Sequence, residues 1–166
     1  MAITIRLPKP NDLAPLAELY NYYILHTTVT FDIRPYSLEE RRQQWFEHYH
    51  PEGRHRLLVA ELNHAIVGYV TSSRFSAKAA YDTSVETSIY IYPPAQGQGV
   101  GTRLYETLFE QLAKENVHRA YAGITLPNDN SIAFHKKMGF ASAGRYSEVG
   151  YKFDQYWDVE WFEKAL

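Results

Sequence analysis

The stretch Gln96-Gly97-Gln98-Gly99-Val100-Gly101 constrains the fold of this chain more than any other. An apolar run, Val85 to Tyr92, leads into it and is stopped by Pro93 and Pro94. A run with helical spacing, Leu104, Leu108 and Leu112, leads out. A strand, a glycine-rich turn and a helix start together make a site for an anion. The first N–H groups of a helix have no intrahelical partner and carry the positive end of its dipole. Glycines let that backbone approach an anion with no Cβ in the way. The expected ligand is phosphorylated, a nucleotide-like cofactor.

Spacing separates the glycine-rich patterns that could serve. A nucleotide triphosphatase loop ends in Gly-Lys-Ser/Thr, but Gly101 is followed by Thr102 with no lysine. The dinucleotide fingerprint asks for a small residue at 102 and an acidic residue closing a second strand about 20 residues on. Thr102 occupies the first position, and Glu115, near the second, lies in the polar end of the helix itself. The pattern left is Q/R-x-x-G-x-G/A, carried by Gln96, Gly99 and Gly101. It resembles the pyrophosphate loop of the GNAT N-acetyltransferases.

Composition removes several classes of function. The 166 residues suffice for one domain, taken here as 1–166, with a sizeable core. A net charge of −2 leaves no electrostatic footprint for nucleic acid, and the pairs Arg41-Arg42 and Lys136-Lys137 read as solvated helix faces. Without Cys there is no disulfide and no thiol nucleophile; seven His without ligand spacing argue against a metal. No apolar run approaches 18 residues, and the opening MAITIRLPKPNDL is polar within six residues, so a soluble, cytoplasmic protein with no membrane partner is expected.

Along the chain, residues 2–6 alternate as a strand. Asn11 or Asp12 can cap a helix carrying Leu13, Leu16, Leu19 and Tyr23. Residues 27–36 read as irregular. Ser37 and Glu40 form a capping box for a polar helix reaching about His48. Arg56 to Glu61 and Ala65 to Ser73 read as a hairpin turning at Asn63-His64. Val85 to Tyr92 is the central strand, followed by the Gly loop and a helix to about Asn116. Ala120 to Thr125 is the next strand. A turn at Pro127 to Asn130 caps a short helix, Ser131 to Met138, which Gly139 ends. Strands at 141–149 and 155–162 close the chain. Strands on either side of βα units predict an α/β fold with a mixed sheet and helices on both faces.

A second motif extends the resemblance. Asn128, the short helix and the closing Gly139-Phe140 are similar to the GNAT pattern. The stretch Ala80 to Ile91, with Glu86 inside it, resembles the phosphinothricin and methionine sulfoximine acetyltransferases, as do Asn21-Tyr22-Tyr23-Ile24, Thr30-Phe31, Gly150 to Phe153 and Trp157-Asp158-Val159. The resemblance covers nearly the whole chain. It implies the GNAT fold, a mostly antiparallel sheet splayed at the cofactor site. It also implies acetyl-CoA as co-substrate without a metal, a small-molecule amine acceptor, and a homodimer, in which some of the 14 Tyr would line the interface. Tyr156, Trp157 and Trp161 could equally be core.

Acetyl transfer needs a neutral amine, a polarised thioester oxygen and a proton for the departing thiolate. Strand alternation puts Glu86, Ser88 and Tyr90 on one face and Val85, Thr87 and Ile89 on the other. The resemblance makes Glu86 the general base, acting directly or through water. It makes Ser88, Ile89, Tyr90 and Ile91 the backbone along the pantetheine arm, with an N–H near Ile89 or Tyr90 on the thioester oxygen. Gln96, Gly97, Gln98, Gly99, Val100, Gly101 and Thr102 would hold the pyrophosphate, and Asn128 a pantetheine amide. His135 stands where many GNATs have a Tyr that protonates the thiolate; it could be acid, water-orienter or structural. The acceptor is expected beside Val85, Glu86 and Thr87, with Phe31 and the segment Arg74, Phe75, Ser76, Ala77, Lys78. Arg74 and Lys78 are the cations available for an acceptor's carboxylate or phosphinate. The chemistry implied is N-acetylation of a small amino-acid-like compound. The alternatives are another small amine, a protein N-terminus, or a non-catalytic acyl-CoA-binding module.

Overall fold

In the segment 57–60, odd positions face one way and even positions the other, and all four side chains are buried. Such a strand must be covered on both sides. The computed structural model, which describes residues 2–166, supplies both covers. Seven strands form one sheet: β1 (Thr4–Arg6), β2 (Arg56–Leu62), β3 (Ala65–Arg74), β4 (Ser84–Ile91), β5 (Arg119–Thr125), β6 (Ala141–Lys152) and β7 (Gln155–Ala165). Their spatial order is β1-β2-β3-β4-β5-β7-β6. Every neighbouring pair is antiparallel except β4–β5.

Helices α1 (Leu13–His26) and α2 (Leu38–Gln44) lie on the face of Leu57, Val59 and Tyr69, where Leu16, Leu19 and Tyr23 pack with Trp45. Helix α3 (Val100–Leu112) covers the opposite face, placing Leu104, Leu108 and Leu112 against Leu58, Ala60 and Val85. The short α4 (Asp129–Lys137) adds Phe134 and Ile132 to that side. The mixed sheet with helices on both faces is as expected.

Boundaries depart from the expected ones where side chains are recruited from a distance. Asp12 gives α1 no side-chain cap; its carboxylate accepts from Arg6 (2.7 and 3.1 Å) and from the Lys9 N–H (2.6 Å). The Ser37–Glu40 capping box forms in both directions, but α2 stops at Gln44, because Trp45 leaves the helical region and Phe46–His48 forms a 3₁₀ turn. Helix α3 ends at Leu112, short of Asn116. Beyond it, the Glu115 carboxylate is drawn to Arg56 (2.6 Å) and the Gly53 N–H (2.9 Å). The hairpin at Asn63-His64 turns with both residues at positive φ, as a two-residue turn requires. Phe153 and Asp154 do the same between β6 and β7, which run on to Lys152 and Ala165.

Candidate active site

Strand β4 is the axis of the site, and its two sides are paired very differently. On the β3 side, all residues from Val85 to Ile91 are in register. On the β5 side, pairing covers only Ser84↔Arg119, Val85↔Ala120 and Glu86↔Tyr121. Beyond those, β5 continues to Thr125 paired with β7 alone. The sheet is therefore split from residue 87 onward, and the backbone of Ser88 to Ile91 borders the gap. A split sheet leaves strand donors and acceptors for a guest, since buried backbone groups demand partners.

The glycine loop sits at the wide end of the gap. Gly97 and Gly99 have φ of +75° and +82°, a region that side-chain-bearing residues rarely adopt, and no atom lies where their Cβ would be. Gly101 is needed for a different reason. A Cβ there would meet the Phe134 ring at 3.0 Å and the Ile91 side chain at 3.1 Å. The missing Cβ at 101 therefore makes room for the packing of α3 against α4 and β4. Helix α3 has Gly99 as its N-cap with no side-chain cap, and its first backbone bond is Arg103 N–H to Gly99 O at 3.2 Å. The N–H groups of Val100, Gly101 and Thr102 precede that bond and open onto a cleft. This cleft, about 860 Å³, is bordered by Ile89, Ile91, Gln96, Gly97, Gly99 to Thr102 and Asn128. Phe134 and Lys137 of α4 line it too, although Lys137 reads in sequence as a solvated charge. Gln96 donates to the Tyr23 hydroxyl (3.0 Å), which donates to Ile91 O (2.5 Å), and so anchors the loop to α1. Gln98 donates to Pro94 O and is outside the cleft lining.

The narrow end of the gap holds the titratable groups. A cavity of about 280 Å³ is bordered by Glu86, Ser88 and Tyr90 from one face of β4, by Thr87 and Ile89 from the other, and by Phe31 and His135. Glu86 is half-buried, and among the described residues no side chain hydrogen-bonds or ion-pairs with it. Burial raises its pKa above the ordinary carboxylate value, because the charged form loses hydration.

His135 approaches from the opposite face of β4. It is 4% exposed, and burial lowers its pKa, only partly opposed by its bond to the Ser131 carbonyl. Nδ1 lies 2.8 Å from Ser131 O, so that nitrogen carries the hydrogen. Nε2 is then the acceptor for the Tyr105 hydroxyl, 2.9 Å away. Tyr105, fully buried on α3, is 3.1 Å from the Thr87 hydroxyl. A line of Thr87, Tyr105, His135 and Ser131 thus crosses the back of the cavity. Asn128 caps α4, its side chain accepting from Ser131 N–H, while also bordering both cavities.

Part of the expected acceptor segment lies elsewhere. Arg74 donates to Ala77 O (2.8 Å) and sits 3.6 Å from Asp82, tied to its own loop. Phe75 packs at tilted angles on Tyr121 and Tyr81 and edge-on to Trp161. Ser76, Ala77 and Lys78 border neither cavity. Val85 is wholly buried in the α3 core rather than facing an acceptor. A third cavity, of about 210 Å³, adjoins Glu86 and Ser88 and is lined by Arg41, Trp45, Tyr49 and Tyr69. Arg41 and Tyr105 carry no local signal in sequence: one reads as a surface basic pair, the other as an ordinary helix aromatic. Among the described residues, no group of three or more His, Asp or Glu could hold a metal. No described helix is long and apolar enough to cross a membrane.

A split β4–β5 pair with a glycine-rich helix start at its mouth defines an acyltransferase of the GNAT type. The acetyltransferase (GNAT) domain family matches residues 5–161, and the chain belongs to that family of N-acetyltransferase enzymes. It is 48% identical to the phosphinothricin N-acetyltransferase of Streptomyces coelicolor, over 99% of this chain and 96% of that protein. It is 30% identical to the L-methionine sulfoximine/L-methionine sulfone acetyltransferase of Salmonella typhimurium, over 99% and 95%. The fold superposes with a TM-score of 0.92 on the phosphinothricin acetyltransferase of Sinorhizobium meliloti in complex with AcCoA, at 28% identity, covering 100% of this chain and 89% of that one.

Proposed function

We propose that this enzyme moves the acetyl group of acetyl-CoA onto the amine of a small amino-acid-like acceptor of the phosphinothricin, methionine sulfoximine or methionine sulfone type. The observation that carries the reading is Glu86, a half-buried carboxylate with a raised pKa and no protein partner, bordering the split of the sheet. The similarity to acetyltransferases of those acceptors over nearly the full length supports the acceptor class. The cleft at the α3 N-terminus fits a pyrophosphate, and the unpaired side of Ser88 to Ile91 fits an extended amide-bearing arm.

The thioester supplies an activated acyl carbon and a sulfur leaving group. Glu86 takes one proton from the acceptor ammonium, directly or through water, and frees the nitrogen lone pair. The N–C bond then forms, the nitrogen sheds its second proton and the C–S bond breaks; the departing thiolate takes up one proton, and the one held by Glu86 is released to solvent. Backbone N–H groups of β4 beside the gap receive the charge that builds on the carbonyl oxygen. His135 has its own N–H committed to Ser131 O, so the proton at that end of the cavity is the one shared with Tyr105. We also infer a homodimer, because the β6–β7 hairpin presents Tyr146, Val149, Tyr151, Phe153 and Tyr156 to solvent.

The direct test is release of free thiol from acetyl-CoA with a panel of acceptors. Phosphinothricin, methionine sulfoximine and methionine sulfone are expected to be turned over with a higher kcat/KM than simple alkylamines. Turnover of peptides with free N-termini alone would overturn the acceptor reading.

A further inference from the structure

Helix α2 carries two adjacent arginines with opposite fates. Arg42 is half-exposed and ion-pairs with Glu39 and Glu47. Arg41 is 6% exposed, and among the described residues no carboxylate pairs with it. Its guanidinium lies between two rings, 3.9 Å from the centre of Tyr20 and 3.8 Å from that of Trp45. Ring contacts compensate the two faces of a guanidinium but leave its edge, where all five N–H donors point. Among the described residues, the only side-chain acceptor at that edge is the Tyr69 hydroxyl, 3.4 Å from Nη2, and Nε has no acceptor. Burying a cation whose donors lack acceptors is costly, so such an arrangement marks a place where a counter-charge is expected.

The position of this edge tells what the counter-charge belongs to. Arg41 borders the same cavity as Glu86 and Ser88, which Tyr49, Thr71 and Ser73 also line. A rigid fork of donors matches the two oxygens of a carboxylate or a phosphinate. Arg74 and Lys78, the cations sequence favours, lie outside the cavity linings. We infer that Arg41 holds an oxyanion of the acceptor, so that the acceptor lies between Arg41 and the base Glu86 with its amine at the latter. This rests on the proposed acceptor class and makes the enzyme selective for amines that carry a negative charge close by.

The test compares wild type with Arg41→Met, which keeps the length between Tyr20 and Trp45 and removes the fork. Three acceptors are used: methionine sulfoximine, its α-carboxamide, and phosphinothricin. Wild type is expected to favour methionine sulfoximine over the carboxamide, and Arg41→Met to raise KM for the carboxylate by roughly 10- to 100-fold, abolishing that preference. Equal penalties on methionine sulfoximine and phosphinothricin assign the fork to the α-carboxylate; a penalty on phosphinothricin alone assigns it to the phosphinate. A variant that keeps the wild-type preference on both overturns the inference, while wild type inactive on all three overturns the acceptor class instead. Should Arg41→Met not fold, the Arg41 Nε–H resonance of the wild type in complex with CoA serves. A shift on adding methionine sulfoximine that its carboxamide does not reproduce, or one specific to phosphinothricin, supports the inference. No selective shift with either acid refutes it.

Discussion

The β4–β5 and β6–β7 pairings show opposite solutions for a strand. The first gives up its ladder after Glu86↔Tyr121, inside the molecule, with helices above and below. The second keeps pairing from Ala141↔Glu163 to Lys152↔Gln155 across two irregularities, yet leaves nearly all of β6 exposed. In the interior, withholding main-chain bonds creates a site, because the unpaired donors and acceptors are shielded from water and await a guest. On the rim, β6 is an edge strand paired on one side only, and the side chains it shows to solvent include the rings of Tyr146 and Tyr151. The two pairs thus differ in one variable, how far the ladder runs, and the proposed catalysis belongs to the first and the proposed self-association to the second.

Three probes test that division, from the largest effect to the smallest. Glu86→Gln removes the proposed base at the point where the ladder stops, and kcat/KM is expected to fall by about 10²–10⁴-fold. The wild-type pH profile should carry an acid limb. As the proposed base Glu86 must be unprotonated, and its pKa is raised by burial, so activity is expected to fall as pH drops through a value above that of an ordinary glutamate. That limb should vanish in Glu86→Gln; its persistence would move the base elsewhere.

The second probe separates the glycines. Gly101→Val must push Phe134 and Ile91 aside at the cleft wall, and acetyl-CoA affinity by calorimetry is expected to drop at least about tenfold. Gly97→Ala meets no atom but keeps a φ of +75°, so it should cost about 1–2 kcal/mol in denaturant unfolding. Equal effects of the two on binding would mean that backbone conformation, not α3–α4 packing, shapes the cleft.

The third probe acts on the rim. Tyr146→Ser with Tyr156→Ser removes two exposed rings, Tyr156 being 63% exposed, without touching the cavities. Sedimentation should show weakened self-association, with little change in kcat at concentrations where both forms are dimeric. A monomeric wild type would remove the hairpin's assigned role.

Much of this was legible without coordinates, and the legible part is local. The glycine loop, the Ser37–Glu40 box, the Asn128 cap and the Gly139 stop are set by backbone conformation and by bonds within four residues, which spacing encodes directly. The faces of β4 follow from its two-residue period, and with them the exposure of Glu86 to the gap. The split of the sheet was anticipated only through family likeness, since no residue in β4 or β5 announces where a ladder ends. It ends where β5 turns wholly to β7 while α4 packs Phe134 onto Gly101.

The charges divide along the same line. Arg41 and Arg42 are indistinguishable by type and neighbourhood in sequence, yet one is sealed between Tyr20 and Trp45 and the other salt-bridged in solvent. Arg74, one of the two cations expected for the acceptor, donates to Ala77 O and lies beside Asp82. His135 stood out by its position after Asn128, but the hydroxyl that occupies its Nε2 comes from Tyr105, 30 residues away. Local sequence determines backbone shape, because φ, caps and period act over a few residues. Which charge is buried, and which proton a histidine can give, depend on atoms that only the folded packing of α1, α2 and α3 against β4 brings within hydrogen-bond distance.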